Sequence, residues 1–172
     1  GLTKDGEIQR LNWPRIDAYD QVNLQYAGVQ IDNNKPIYFH DEKFQHTQFY
    51  IEDSVILKTM HVGNGLEIIQ IDYVLPDEDV WVRDFEIKNV SNMDLKMSFV
   101  YYSDSALSGI NRFQTTKFDL KNDQLIHYYR NNAMVISTSK EVTTYQSGKA
   151  LEQLEENRLE GRTILNDSEG AF

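Results

Sequence analysis

The chain contains no cysteine. That single absence excludes a disulfide framework, thiolate catalysis and cysteine-ligated zinc. It fixes no compartment, because many secreted proteins also lack cysteine, so cytoplasmic and secreted locations both stay open. No apolar run approaches the ~20 residues that a bilayer span requires. Neither a signal-peptide pattern nor a methionine opens the chain. Gly1-Leu2-Thr3 reads as a processed end or as a boundary within a longer polypeptide. Basic residues are few as well: 17 Lys and Arg stand against 27 Asp and Glu, a formal net charge of −10. Such a surface repels phosphate backbones and anionic headgroups, and no run of Lys or Arg reverses it locally. Nucleic acid and membrane surfaces are therefore not expected as partners. Internal repeats, low-complexity tracts and linkers are missing too.

The signatures of a catalytic or metal site are equally sparse. The four histidines are His40, His46, His61 and His127. No two of them stand at a metal-ligand spacing such as HxxxH, so neither a metal nor a cofactor is expected. Ser103-Asp104-Ser105 has no GxSxG elbow around it, and no histidine is placed by sequence to activate it. Gly63-Asn64-Gly65 lacks the phosphate-loop pattern and reads as a turn. Asp77, Glu78 and Asp79 form the densest carboxylate cluster. A glycosidase pair flanks a cleft with the sugar between the two groups, so neighbours on one turn have the wrong geometry, and their spacing is not that of an EF-hand loop. They read as a solvated turn.

What remains is a chain built for strands. It has 172 residues, 40% of them hydrophobic and 12% aromatic, enough for one domain with a real core. Ten Tyr and eight Phe suit a pleated surface. Asp5-Gly6 signals a turn between Leu2-Thr3-Lys4 and a strand from Glu7 to Trp13, which Pro14 stops. A looser stretch follows to Ala27. Gly28 to Ile31 and Pro36 to Phe39 read as short strands around Asp32-Asn33-Asn34. Val55 to Met60 and Leu66 to Val74 are strands joined by the Gly63-Asn64-Gly65 turn. Trp81, Arg83, Phe85 and Ile87 share one face of the next run, and Leu95, Met97, Phe99 and Tyr101 one face of the run after it. The polar Val90 to Asp94 loop between them predicts a hairpin. Thr116 to Leu120, Gln124 to Arg130 and Ala133 to Thr138 complete a set whose spacing predicts a sandwich of antiparallel sheets. Only Tyr145 to Gly161 departs from this pattern. Ser147 can cap a helix there, Ala150, Leu151 and Leu154 give it a narrow apolar stripe, and Gly161 suits its end. One short surface helix is expected near 148–160.

The one plausible ligand-binding set is aromatic. Exposed rings stack on the apolar faces of sugars. Trp81, on the Phe85 and Ile87 face, belongs with the core, whereas Trp13, beside Pro14 at a strand end, is the candidate for carbohydrate binding. Tyr101-Tyr102 and Tyr128-Tyr129 each send one ring to each face of a sheet.

Lys4-Asp5-Gly6-Glu7-Ile8, running on to Trp13-Pro14-Arg15, resembles the opening of the N-terminal domain (domain N) of glucoamylase-type glycoside hydrolases of family fifteen, the glucoamylases and glucodextranases. Asp84-Phe85-Glu86-Ile87-Lys88-Asn89 resembles that domain's charged strand ending in an asparagine turn. Tyr145-Gln146-Ser147-Gly148-Lys149-Ala150, with Arg158-Leu159-Glu160-Gly161 behind it, resembles its late surface helix. The likeness runs in order through nearly the whole chain.

The resemblance implies a mainly β, antiparallel supersandwich similar to galactose mutarotase-like domains, of bacterial or archaeal type. It implies that the full-length protein hydrolyses α-glucosidic bonds of glucans or oligosaccharides with inversion. The acid and base of that reaction belong to a helical α/α-barrel that follows the sandwich, and no segment here resembles it. No catalytic residue is therefore expected in this chain. Residues 1–172 are read as a single non-catalytic sandwich domain, incomplete at both ends, whose partners are the catalytic barrel of the same polypeptide and a glucan or oligosaccharide. Missing edge strands leave unpaired N–H and C=O groups, which predicts a homodimer formed through them. A self-standing carbohydrate-binding module and a protein-contact sandwich are the alternative readings.

Overall fold

The computed structural model describes residues 1–32, 34–110 and 114–145, and these are mainly β. The strands are β1 (Val22–Ile31), β2 (Ile37–Tyr38), β3 (Gln45–Tyr50), β4 (Leu57–Gly63), β5 (Leu66–Val74), β6 (Trp81–Asn89), β7 (Met97–Ser105), β8 (Thr115–Asp119), β9 (Gln124–Tyr129) and β10 (Asn132–Ser137). A 3₁₀ turn, Leu107–Gly109, follows β7. The antiparallel, sandwich-type architecture expected from the sequence is present. The helix expected near 148–160 lies outside the described residues.

One compact unit contains residues 1–9, 24–32 and 36–102. Its larger sheet has the order β3-β4-β5-β6, each strand antiparallel to the next. The turn between β4 and β5 places Asn64 at φ 52° and Gly65 at φ 73°. Two left-handed residues in a two-residue loop match the twist of the flanking strands, which is why Asn-Gly is found there. A smaller sheet has the order β2-β1-β7. Ala27, Val29, Phe39, Phe44, Leu66 and Ile68 are buried together, with Phe85, Ile87, Leu95, Met97 and Tyr101 packed against them.

The expected hairpin of the two long alternating runs is not formed. β6 pairs with β5, whereas β7 stands next to β1 in the smaller sheet. The loop between them crosses from sheet to sheet, held by Val90 N–H donating to Gly65 O at 2.9 Å. Alternation told correctly which side chains face inward: the Phe85 and Phe99 rings lie 5.0 Å apart. Two runs with one apolar face each can bury it edge to edge in one sheet or face to face across two, and periodicity alone does not choose.

Three further readings change. The stretch before Ala27 is not loose, because β1 starts at Val22. β3 was invisible as a strand, since Gln45-His46-Thr47-Gln48 carries no apolar alternation. The run from Glu7 to Trp13 makes only isolated bridges, Ile8 to Leu2 and to Gln25, and Asn12 to Asp20. The Asp5-Gly6 turn itself is present, with Gly6 N–H donating to Thr3 O at 3.1 Å and Gly6 at φ 78°.

Among the described residues, the other compact unit contains 10–23, 34–35, 103–110 and 114–145. Its sheet has the order β10-β9-β8, with Thr116 opposite His127 and His127 opposite Met134. Tyr145 stacks its ring on Phe118, centroids 4.2 Å apart.

Candidate functional site

In the first unit, the inward face of the four-stranded sheet is apolar at one end and polar at the other. The change follows the register: Leu66 and Ile68 of β5 give way to Gln70 and Asp72, beside Thr59 and His61 of β4 and Arg83 of β6. Thr59, His61, Gln70 and Asp72 are all buried. Asp72 accepts from Arg83 Nε at 2.7 Å, Trp81 Nε1 at 3.2 Å and Gln70 Nε2 at 2.5 Å. Arg83 also donates to Tyr101 Oη at 3.2 Å, and Tyr101 donates to Gln25 Oε1 at 3.0 Å. The N-terminal segment closes this polar end. Gly6 O accepts from Gln70 Nε2 at 3.0 Å and from Arg83 Nη2, and Thr3 O accepts from Gln48 Nε2 at 2.9 Å.

The protons follow from these partners. Gln70 spends its amide hydrogens on Asp72 and Gly6, so its oxygen faces His61 Nε2 at 3.2 Å and accepts from it. His61 Nδ1 is then the acceptor for His46 Nδ1–H at 3.0 Å. That arrangement requires a neutral His61, and burial pushes its pKa down to about 4. His40 differs. Its Nδ1 lies 2.8 Å from Glu7 Oε1, and that hydrogen bond raises its pKa. Burial works against the Arg83 charge, but Tyr101 and Asp72 outweigh it and hold the guanidinium above its ordinary value. Through the Thr3 and Gly6 carbonyls, which Gln48, Gln70 and Arg83 hold, the network clamps residues 3–7 onto the sheet.

The second unit has its own buried histidine. His127 is 3% exposed, with Nε2 at 3.0 Å from Ser103 Oγ and Nδ1 at 2.8 Å from Thr116 Oγ1. The sequence placed no histidine beside Ser103, and the fold brings one there from a strand 24 residues away. The third position of this set is a hydroxyl rather than a carboxylate, and burial lowers the His127 pKa to about 4. A hydroxyl cannot stabilise an imidazolium as a triad carboxylate does. The cluster satisfies a buried imidazole.

Trp13 stands in the loop from Leu11 to Gln21 of this unit, 42% exposed. The loop's base is pinned. Asn12 bridges Asp20, Leu11 N–H donates to Asp20 Oδ1 at 2.8 Å, and Asn12 Nδ2 donates to Ala18 O at 2.7 Å. Gln21, itself buried, donates from Nε2 to Tyr19 O at 2.8 Å and to Trp13 O at 3.2 Å. Its Oε1 accepts from Ser108 N–H at 2.9 Å. One buried amide thus gathers the carbonyls of both aromatic residues, and sequence patterning gave no sign of that role for Gln21. Outward, the loop presents Trp13, Ile16 at 93% and Tyr19 at 71% exposure.

The other sequence candidates resolve simply. Asp77, Glu78 and Asp79 are exposed on the turn between β5 and β6. Among the described residues no three His, Asp or Glu side chains are grouped to hold a metal ion. Nor is any described helix long and apolar enough to cross a membrane. Trp81 belongs to the interior set through Asp72, as its face predicted. Tyr101 and Tyr102 do part to opposite sides: Tyr101 meets Arg83, and Tyr102 stacks on Tyr26 with centroids 4.7 Å apart. A shallow hollow of about 820 Å³ lies between residues 50–56 and 73–76, lined in part by Tyr50, Val55 and Tyr73, and its carboxylates Glu52 and Asp53 are exposed.

Comparison with known proteins gives one informative likeness. The chain is 24% identical over 144 residues to a protein of Methanocaldococcus jannaschii named an uncharacterized glycosyl hydrolase. The alignment covers 83% of this chain and 23% of that protein, so the chain spans about a quarter of its relative's length. No family model matches the chain. No solved structure matches it. The likeness supports a glycosidase-related chain.

Proposed function

We propose that the chain is a non-catalytic accessory domain of a glucoamylase-like glycoside hydrolase acting on α-glucosidic bonds of glucans or oligosaccharides. Its role is to support a catalytic α/α-barrel of the same polypeptide. The observation that carries this reading is the state of Asp72. It is 3% exposed and committed to Arg83, Trp81 and Gln70 beneath the N-terminal segment. A glycosidase needs two carboxyl groups facing a sugar. The Asp72 carboxylate faces protein instead. The partial coverage of a relative named as a glycosyl hydrolase agrees with a domain of a larger enzyme.

The test is hydrolysis of maltose, maltooligosaccharides and starch. The 172-residue chain should release no glucose, whereas a polypeptide that carries this sequence together with its barrel should. Turnover by the chain itself, surviving purification and lost on replacing one of its carboxylates, would overturn the reading.

A further inference from the structure

We propose that the outward face of the loop from Trp13 to Tyr19 is a binding platform for a glucose-unit oligosaccharide, with the Tyr19 ring as the surface on which one pyranose stacks. The ligand class rests on the glycosidase reading above; the platform rests on geometry.

Tyr19 is a large ring left mostly in water, and it is held there. Gly109, at φ 72°, lies directly beneath it: a Cβ at that position would come within 3.0 Å of Tyr19 Cδ1 and 3.5 Å of its Cβ and Cγ. The near edge of the side chain, from Cβ to Cδ1, therefore lies against bare backbone, which only glycine provides at this conformation. Gly109 N–H donates to Asp20 O at 3.0 Å, so the backbone on either side of the contact is tied together. Asp20 Oδ1 also accepts from Leu11 and Val22 N–H, and buried Gln21 holds the carbonyls of Trp13 and Tyr19. A loop fixed this way loses little freedom when a ligand arrives, and an ordered aromatic with one open side suits the apolar face of a sugar ring.

The polar groups carried on the same loop decide between a sugar and a protein. Arg15 and Asp17 sit on the same loop with Nε and Oδ1 3.6 Å apart, their side chains 79% and 73% exposed. The core of a protein interface would have to strip water from both, and charged residues are depleted there for that reason. Sugar hydroxyls instead take up hydrogen bonds from just such planar donors and acceptors at the rim of a ring. The acidic chain adds no attraction for a phosphate ligand.

The experiment titrates the 172-residue chain with maltoheptaose and with isomaltoheptaose, by calorimetry and by saturation-transfer NMR. Binding in the millimolar range or tighter is expected for at least one of them. Tyr19→Ala should weaken it about three- to tenfold, the worth of one aromatic contact, and Tyr19→Phe should keep it within about twofold. Ile16→Ser, which removes apolar surface but no ring, should weaken it by no more than about twofold. The exposure of Tyr19 and Ile16 makes all three variants compatible with folding, and near-ultraviolet dichroism checks that. No binding of either sugar, or binding indifferent to Tyr19→Ala, overturns the platform. Loss of binding with Ile16→Ser equal to that with Tyr19→Ala also overturns it, in favour of an apolar docking surface. None of these results touches the hydrolysis assay, so the platform and the accessory-domain reading fail separately.

Discussion

Arg83 Nε lies 2.7 Å from Asp72 Oδ1, with the two side chains 8% and 2% exposed. Two opposite charges sealed this far from water are each expensive to isolate, even where the pair itself adds little over apolar packing. Asp72→Ala should therefore cost about 3–5 kcal/mol, because the guanidinium stays buried without its carboxylate. The double variant Asp72→Leu/Arg83→Met should recover much of that loss. Urea unfolding of the single and double variants measures both. A single-variant cost below about 1 kcal/mol would mean that water reaches the pair.

His61 and His127 give the acid limb of the stability curve. Both folded-state values are near 4, below the ordinary 6.5. Between those values the unfolded chain takes up protons that the folded chain refuses. Stability is then complete above about pH 6.5 and falls as pH drops toward 4, by on the order of 3 kcal/mol for each histidine. His40 acts on the other side. Its value is raised by Glu7, so its contribution is whole below 6.5 and is lost as pH rises through the raised value. Stability should peak near neutrality, and His40→Gln should flatten only the alkaline limb. Unfolding followed across pH, with imidazole proton shifts read by NMR, checks the assignment. A midpoint for His61 or His127 near 6.5 in the folded chain would contradict it.

Gly6 is the point where the N-terminal clamp has no room. It sits at φ 78°, and a Cβ there would come within 2.6 Å of Gln70 Oε1 and 2.8 Å of Gln70 Nε2. Gly6→Ala adds left-handed strain and displaces an amide that serves Asp72 and His61. A loss of about 1–3 kcal/mol is expected, with residues 1–9 gaining amide exchange before the sheet does. Uniform exchange across the unit would show that the segment is not a separate clamp.

The strand pattern was legible where apolar alternation was strong. Leu66 to Val74 matches β5 end to end, and the inward set Trp81, Arg83, Phe85 and Ile87 is the one observed. It failed where the inward face is polar. β3 offers His46 and Gln48 to the buried network, so its sequence carries no apolar alternation to mark it although its register with β4 is complete. Partner choice failed as well, because one apolar face per run does not distinguish a hairpin from two facing sheets. Of the candidate surface, the sequence offered Trp13 beside Pro14. Tyr19 and Gln21 stayed hidden because their roles come from Gly109 and Ser108, nearly ninety residues further on.

The same β3 supplies the last prediction. It pairs with β4 alone among the described strands, and Phe49 and Tyr50 are 45% and 67% exposed. An open edge carrying apolar side chains invites pairing with a second copy. The chain should therefore associate at micromolar concentrations in sedimentation velocity. Phe49→Glu should suppress this. Phe49 lies opposite Lys58 in the register, and Lys58 Nζ already sits 5.9 Å from its ring, so a carboxylate there gains a cross-strand partner while charging the edge. Lower association with unchanged thermal stability is the expected pair of results. A wild-type chain that sediments as a monomer at every concentration removes the edge from consideration, and with it the homodimer.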